Sequence, residues 1–232
     1  ALRHIARQFP GEASVLDAGS GFGQYTWRMS KMNTGWNIKA IDINSEQIED
    51  CKSFFGKTGL SQRVSFQTGD LTALADTNCY DIIISVDVME HIDQDVIVFQ
   101  NFYKSLKDNG ILLISTPSDK GGSDVHNKNE ESFIDEHVRD GYSIKEITEK
   151  LSLAGFRNIE AGYTYGKPGN ISWRLSMKYP VKMLNVSYLF FIILPFYYLI
   201  FFPVSLILNI LDLSLTHNTG TGLLVTARKQ LS

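Results

Sequence analysis

Seven residues, Asp17-Ala-Gly-Ser-Gly-Phe-Gly23, combine an acid with glycines at alternate positions. Gly19, Gly21 and Gly23 let the chain turn sharply and bring its backbone close to a ligand, and a helix following such a turn offers unbonded N–H groups. Two more acids stand at comparable points. Asp42 ends the run Asn37-Ile-Lys-Ala-Ile-Asp42, where a carboxylate can accept hydrogen bonds from both hydroxyls of a ribose. Asp70, in Thr68-Gly-Asp-Leu71, can face the amino group of an adenine. A fourth segment, Ser85-Val-Asp-Val-Met-Glu-His-Ile92, closes another apolar run and adds Val86, Asp87 and His91. A single acid in a loop is usually a cap or merely solvated. Four such features after four successive strands form a site.

The elements that must position these residues follow from periodicity. Residues 14–18, 37–42, 63–67, 80–86, 111–115, 156–165 and 222–227 read as strands. The unbroken runs Tyr80-Asp-Ile-Ile-Ile-Ser-Val86 and Ile111-Leu-Leu-Ile-Ser115 mark strands covered on both faces. Helices are expected over 22–32, 45–57 with Ser45 as cap, 93–107 and 143–154 with Gly155 as stop. Strands alternating with helices predict an α/β fold: a doubly wound, seven-stranded, mostly parallel sheet. Ligands bind such sheets beyond the carboxyl ends of the strands, where strand order reverses.

In these residues the sequence resembles the class I, Rossmann-like, S-adenosylmethionine-dependent methyltransferases. Within them it is most similar to the branch with an Asp-Val-Met-Glu-His-Ile-type segment after strand four, which includes ubiquinone-pathway O-methyltransferases and many small-molecule methyltransferases. The resemblance covers roughly residues 1–165 and the last strand. It implies S-adenosylmethionine as cofactor and S-adenosylhomocysteine as product. It also implies Asp17, Gly19, Ser20, Gly21 and Gly23 at the amino-acid end, Asp42 with its neighbour Ile43 at the ribose, and Asp70 with its neighbour Leu71 at the adenine. Val86, Asp87 and His91 would then flank the methionine part. The spacing Gly-x-Gly-x-Gly, with Thr68-Gly-Asp70, counts against an NAD-dependent dehydrogenase, whose turn reads Gly-x-Gly-x-x-Gly.

Methyl transfer to oxygen is an in-line displacement in which positioning supplies most of the acceleration, so a general base is optional. His137, in Glu136-His-Val-Arg-Asp-Gly-Tyr-Ser143, resembles a segment bordering the substrate pocket and is one candidate base. His91 is another, with helix capping as its plainer role, while His126 reads as a solvated loop residue. Arg139 and Tyr142 read as structural. No Asn-Pro-Pro-Tyr or Asp-Pro-Pro-Tyr motif follows strand four, and no metal-ligand cluster is visible. With 22 basic and 25 acidic side chains the net charge is -3, which argues against a nucleic-acid partner held by phosphate contacts. Two cysteines without metal-ligand spacing, and no secretory signal, lead us to expect a reduced, cytoplasmic protein.

Residues 166–215 interrupt the expected domain, which comprises 1–165 and 216–232. From Met183 to Leu211 there is no Asp, Glu, Lys or Arg. The segment is long enough to cross a bilayer, yet the last strand must return to the sheet, so one crossing is excluded. The expectation is a shallow, membrane-docking helical hairpin, split at Pro195 and kinked again at Pro203, on the inner face of a membrane. Arg174, Lys178 and Lys182 would meet headgroups, and Tyr179, Tyr188, Tyr197 and Tyr198 would sit at the interface. The acceptor would then be a hydrophobic or lipid-like small molecule. Two alternatives stand beside this reading. One is a soluble enzyme of a polar metabolite or sugar with the insert as lid or dimer arm, and the other a cofactor-binding membrane scaffold without catalysis.

Overall fold

A computed structural model of the chain describes residues 1–120 and 138–230. Its strands are β1 (Ala13–Ala18), β2 (Trp36–Asp42), β3 (Val64–Thr68), β4 (Tyr80–Val86), β5 (Leu106–Pro117), β6 (Arg157–Thr164) and β7 (Gly222–Arg228). They form one sheet in the order β3-β2-β1-β4-β5-β7-β6, parallel from β3 to β5, with β7 antiparallel to both β5 and β6. Strand order reverses between β1 and β4, so a ligand crevice is expected at that point.

Side chains alternate across each strand, and the two faces carry separate cores. On one face Val15, Ile82 and Ile84 pack with Ile5 of α1 (Leu2–Gln8), Met29 of α2 (Gln24–Met32) and Ile48 and Phe55 of α3 (Ser45–Gly56). On the other, Leu16, Ile83 and Ile114 pack with Phe99 and Phe102 of α4 (Asp95–Ser105) and Leu151 of α5 (Ile144–Leu153). Each such aliphatic side chain, fully buried, contributes about 1.5–3 kcal/mol.

Three local expectations change. The side chain of Asn44, not Ser45, caps α3 by accepting the Gln47 N–H at 3.1 Å, because Asn44 is the residue still in extended backbone. β5 begins at Leu106, since Tyr80 pairs with it ahead of a bulge. Helix α4 starts at Asp95, leaving His91 in a separate 3-10 turn, Met89–His91, so His91 does not open that helix.

The insert is a hairpin, but it turns elsewhere than expected. Its first arm runs through α6 (Lys167–Trp173), a π-helical stretch (Arg174–Lys178) and α7 (Tyr179–Val186). Its second arm is one continuous helix, α8 (Phe190–Ser214), about 37 Å long, with Pro195 and Pro203 inside it. The chain reverses at 187–189, not at Pro195. Each proline removes one helix hydrogen bond, which is too little to end a helix packed along a second arm.

A buried charge cluster ties the segment after β4 to α5. The buried Asp95 carboxylate accepts from Arg139, from the Tyr142 hydroxyl at 2.7 Å and from Lys150 at 2.7 Å, while Arg139 also donates to the Ile92 carbonyl at 2.8 Å. Arg139 and Tyr142 are thus structural, as expected. Asp95→Ala removes the buried anion and leaves Lys150 and Arg139 to share Glu146, 2.8 and 3.9 Å away, and we expect it to cost about 1.5–3 kcal/mol, read as a lowered urea midpoint at unchanged slope.

Candidate active site

The tips of β1, β2 and β3 are bound to one another. The Gly19 and Ser20 amides both donate to the Ile41 carbonyl, at 2.8 and 3.0 Å, and Gly69 donates to the Asp42 carbonyl at 2.9 Å. Gly19, Gly21 and Gly23 all have positive φ (79°, 50° and 72°), the left-handed backbone that glycine adopts freely. Space is as restrictive as conformation at Gly19, where an added Cβ would overlap the Val88 side chain arriving from the tip of β4. The reversal point between β1 and β4 is therefore a closely packed seam.

The turn's amides are mostly spent. Besides Gly19 and Ser20, Gly21 donates to Asp42 Oδ2 at 2.7 Å and Gly23 to the Ser20 carbonyl at 2.9 Å. The expected row of free N–H groups is reduced accordingly, because the turn bonds to itself and to β2. What it presents is close backbone and carboxylate. Asp42 takes Gly21 N–H on one oxygen and Asn44 N–H, at 2.9 Å, on the other. A carboxylate has about four acceptor positions, so both oxygens keep capacity for a diol.

Asp17 lies beneath the turn. It is buried, and its Oδ2 accepts the Thr26 hydroxyl from α2. Burial pushes its carboxyl up to about 6, against the Thr26 bonds, with the Asp42 charge adding a little. Asp70 is exposed at the end of β3 and caps a 3-10 turn, Leu71–Ala73, through the Thr72 N–H at 2.8 Å. Leu71 is buried in the core beside it. Ile43, 75 % exposed, stands next to Asp42, and Phe22, 78 % exposed, stands in the turn.

At the β4 tip Val86 is half-buried, and Asp87 holds left-handed backbone (φ 53°) with its N–H on the Ser115 carbonyl at 2.8 Å. Loss of water pushes the Asp87 carboxyl up, opposed by His91. Glu90 is buried, accepts Thr116 Oγ1 at 3.0 Å and is pushed up chiefly by burial. His91 is half-buried in this group. Its fellow candidates His126 and His137 lie outside the described residues. Among the described residues no group of three or more His, Cys, Asp or Glu side chains is arranged to hold a metal ion.

Val88 belongs to the site only through the fold, since its fit against Gly19 leaves no sequence signal beyond an apolar residue after a strand. The same holds for Tyr25, in the first turn of α2. The Tyr25 hydroxyl is pushed up by burial, then by the neighbouring Asp87 and Tyr165, which draws the start of α2, the tip of β4 and the residue after β6 together.

This edge suits one kind of ligand better than another. A pyrophosphate needs free amides and positive charge. Here four amides are spent, and Asp17, Asp42, Asp70, Asp87 and Glu90 crowd the strand ends. The same acids favour a ligand bearing a sulfonium, an ammonium and a ribose diol.

Comparison with known proteins agrees. Residues 11–160 match the family described as a methyltransferase domain. The ubiquinone biosynthesis O-methyltransferase of Rickettsia canadensis is 28% identical over 102 residues, 44% of this chain and 42% of that protein. The chain spans less than half the length of the curated relatives it matches. Among solved structures, phosphoethanolamine N-methyltransferase 2 of Haemonchus contortus, in complex with S-adenosyl-L-methionine, superposes with a TM-score of 0.71 at 17% identity, over 99% of this chain and 52% of that one. The [4+2]-cyclase SpnF superposes with a TM-score of 0.66 at 17% identity, over 100% of this chain and 80% of that one. The chain belongs to the methyltransferase-domain family, in the class I S-adenosylmethionine-dependent fold.

Two outcomes are expected. Gly19→Ala collides with Val88 and strains φ, so calorimetry should find S-adenosylhomocysteine affinity reduced about a hundredfold or more, and Val88→Ala in the same chain should restore only part of it. A carboxyl raised from 3.8 to about 6 on folding binds its proton more tightly in the native state. Its contribution to stability is therefore complete below about pH 4 and is lost as pH rises through 6, a change of about 3 kcal/mol. Asp17→Asn should flatten this slope in denaturation measured between pH 4 and 7.

Proposed function

We propose that this chain methylates an oxygen of a hydrophobic, lipid-like small molecule at a membrane surface. When bound, S-adenosylmethionine supplies a methyl group activated by its sulfonium and leaves as S-adenosylhomocysteine. In this reading Gly19 to Gly23 lie along its amino-acid end, with Asp17 bracing the turn from below. Asp42 accepts from the ribose hydroxyls, Ile43 packs beside it, and Asp70 with the backbone at Leu71 faces the adenine. Val86, Asp87 and His91 border the reacting end. The chain's task is chiefly to hold the acceptor in line and exclude water. An acceptor hydroxyl can pass its proton to His91, to His137 or to water.

The observation that carries the membrane part is the exposed face of α8. Only 11 % of its most apolar stretch is buried, leaving Phe191, Phe196, Leu199, Ile200, Ile207 and Ile210 in the open. A continuous apolar face of that length marks an interaction surface. Polar groups of the hairpin are mostly satisfied inside it, as a lipid environment demands. Tyr197 and Tyr198 donate to the Leu175 and Ser176 carbonyls of the π-helical stretch, at 2.8 and 2.9 Å, and Ser172 donates to the Ser205 carbonyl at 3.0 Å.

Length alone would let α8 cross a bilayer, but its partner arm carries Lys167, Arg174, Lys178 and Lys182, and both arms start at the sheet. Taking those cations through the hydrocarbon costs several kcal/mol. The hairpin therefore lies in one leaflet, with its cations toward the headgroups. It leaves the sheet between β6 and β7, whose adjoining ends Thr164 and Gly222 pair beside Pro117 of β5, at the same edge as the glycine turn. The acceptor then reaches the cleft from the bilayer.

A lid would need its apolar face covered by the domain, and the outer face of α8 is not so covered. Phe196→Glu combined with Ile200→Glu and Ile207→Glu should abolish co-flotation with phosphatidylglycerol vesicles while leaving S-adenosylhomocysteine affinity within about twofold. A wild-type chain that stays soluble, monomeric and unbound to vesicles sinks the membrane reading. A chain that floats and binds the nucleoside, yet transfers no methyl group to any lipid extract, supports the scaffold instead.

A further inference from the structure

The base of the hairpin holds a buried ionisable pair with no part in the methyl transfer derived above. Asp212 is the one charged residue of α8, and its side chain and that of His217 are 9 % and 10 % exposed. Asp212 Oδ1 accepts the Gly169 N–H at 3.0 Å and lies 3.1 Å from His217 Nε2, which is also 3.0 Å from the Asp212 carbonyl oxygen. A carbonyl oxygen can only accept, so Nε2 carries the proton and donates to both. Two glycines permit the approach. A Cβ at Gly169 would fall 2.7 Å from Asp212 Oδ2, and one at Gly166 would overlap the His217 ring.

The joint is continuous with the cleft. His217 pairs with Tyr163 of β6, and Thr221 donates to the Tyr165 carbonyl at 3.2 Å. The Ser118 N–H, just past β5, donates to the Thr221 carbonyl at 3.0 Å, and Ser118 bridges to Tyr142. The Tyr142 hydroxyl reaches the Met89 carbonyl at 3.0 Å, two residues from His91. The first and last turns of the hairpin are thus fixed to the strand ends that border the acceptor side. A lever about 37 Å long amplifies any slack, since about 10° at the base moves the tip by about 6 Å.

We propose that Asp212 and His217 are positioning residues whose bond sets the angle of the hairpin to the sheet edge. It thereby holds a membrane-borne acceptor in line with the methyl donor. The inference rests on the docking reading given above. It differs from a simple cap, which would support α8 without influencing transfer.

The test uses the full chain spin-labelled at the exposed native Cys79 and at Asn185→Cys near the hairpin tip, Cys51 being buried. Distance distributions are measured by double electron–electron resonance for Asp212→Ala, which removes the acceptor, and His217→Phe, which removes the donor. In parallel, S-adenosylhomocysteine affinity, flotation with phosphatidylglycerol vesicles, and transfer of a radiolabelled methyl group to a membrane lipid extract in those vesicles are followed. We expect broadened distances and transfer lowered about tenfold, mainly as a raised KM for the vesicle-borne acceptor, with nucleoside affinity and flotation held within about twofold. Asp212→Glu should recover part of the transfer. Unchanged distances, broadened distances with undiminished transfer, or a parallel loss of nucleoside affinity would each overturn the proposal. If the unsubstituted chain neither floats nor methylates the extract, the docking reading fails by itself, and the distance distributions alone decide whether the joint fixes the hairpin.

Discussion

The carbonyl of Ile41 accepts two successive amides, Gly19 and Ser20, and the working edge of the sheet is arranged around that bond. It locks the tip of β1 to the tip of β2 in a conformation that only glycine enters cheaply. It also turns the Gly21 amide toward the Asp42 carboxylate. Val88 then closes over Gly19 from β4, and Asp17 is sealed beneath by Thr26. Asp42 is held where both its oxygens keep capacity for a diol. The shape of the turn is set by the bonds its amides make to Ile41, Asp42 and Ser20, while the buried Ser20 hydroxyl is left without a partner.

The same bonds make this edge better suited to a cationic nucleoside than to a phosphate. A turn that spends its amides internally has little to offer a phosphate, and the acids at the strand ends would repel one. Fold likeness does not supply that conclusion, since a cyclase shares the architecture at a TM-score of 0.66. The conclusion comes from the donors that remain and the sign of the charge around them.

Much of this was legible in order along the chain. The strands announced themselves through β-branched runs, and Gly19, Gly21, Gly23, Asp42 and Asp70 through their places after successive strands, because those signals are local. What stayed hidden depends on distance in sequence. Val88 against Gly19, Tyr25 beside Tyr165, and Asp212 on Gly169 and His217 each need a folded chain to bring them together. Ser45 is a cap by residue type and Asn44 is the cap in the folded chain, because backbone conformation decides which of two capping residues starts the helix. The prolines misplaced the hairpin turn for a related reason. A proline penalty is local and modest, whereas packing of α8 along its partner arm is summed over the whole length.

The central claim is that a sulfonium nucleoside lies across the tips of β1, β2 and β3. A crystal structure of the full chain grown with S-adenosylhomocysteine tests it most directly. The account predicts ribose hydroxyls on the Asp42 carboxylate, adenine beside Asp70 and the homocysteine chain along Gly19 to Gly23. A nucleoside seated elsewhere, or an edge left empty at saturating ligand, would contradict it.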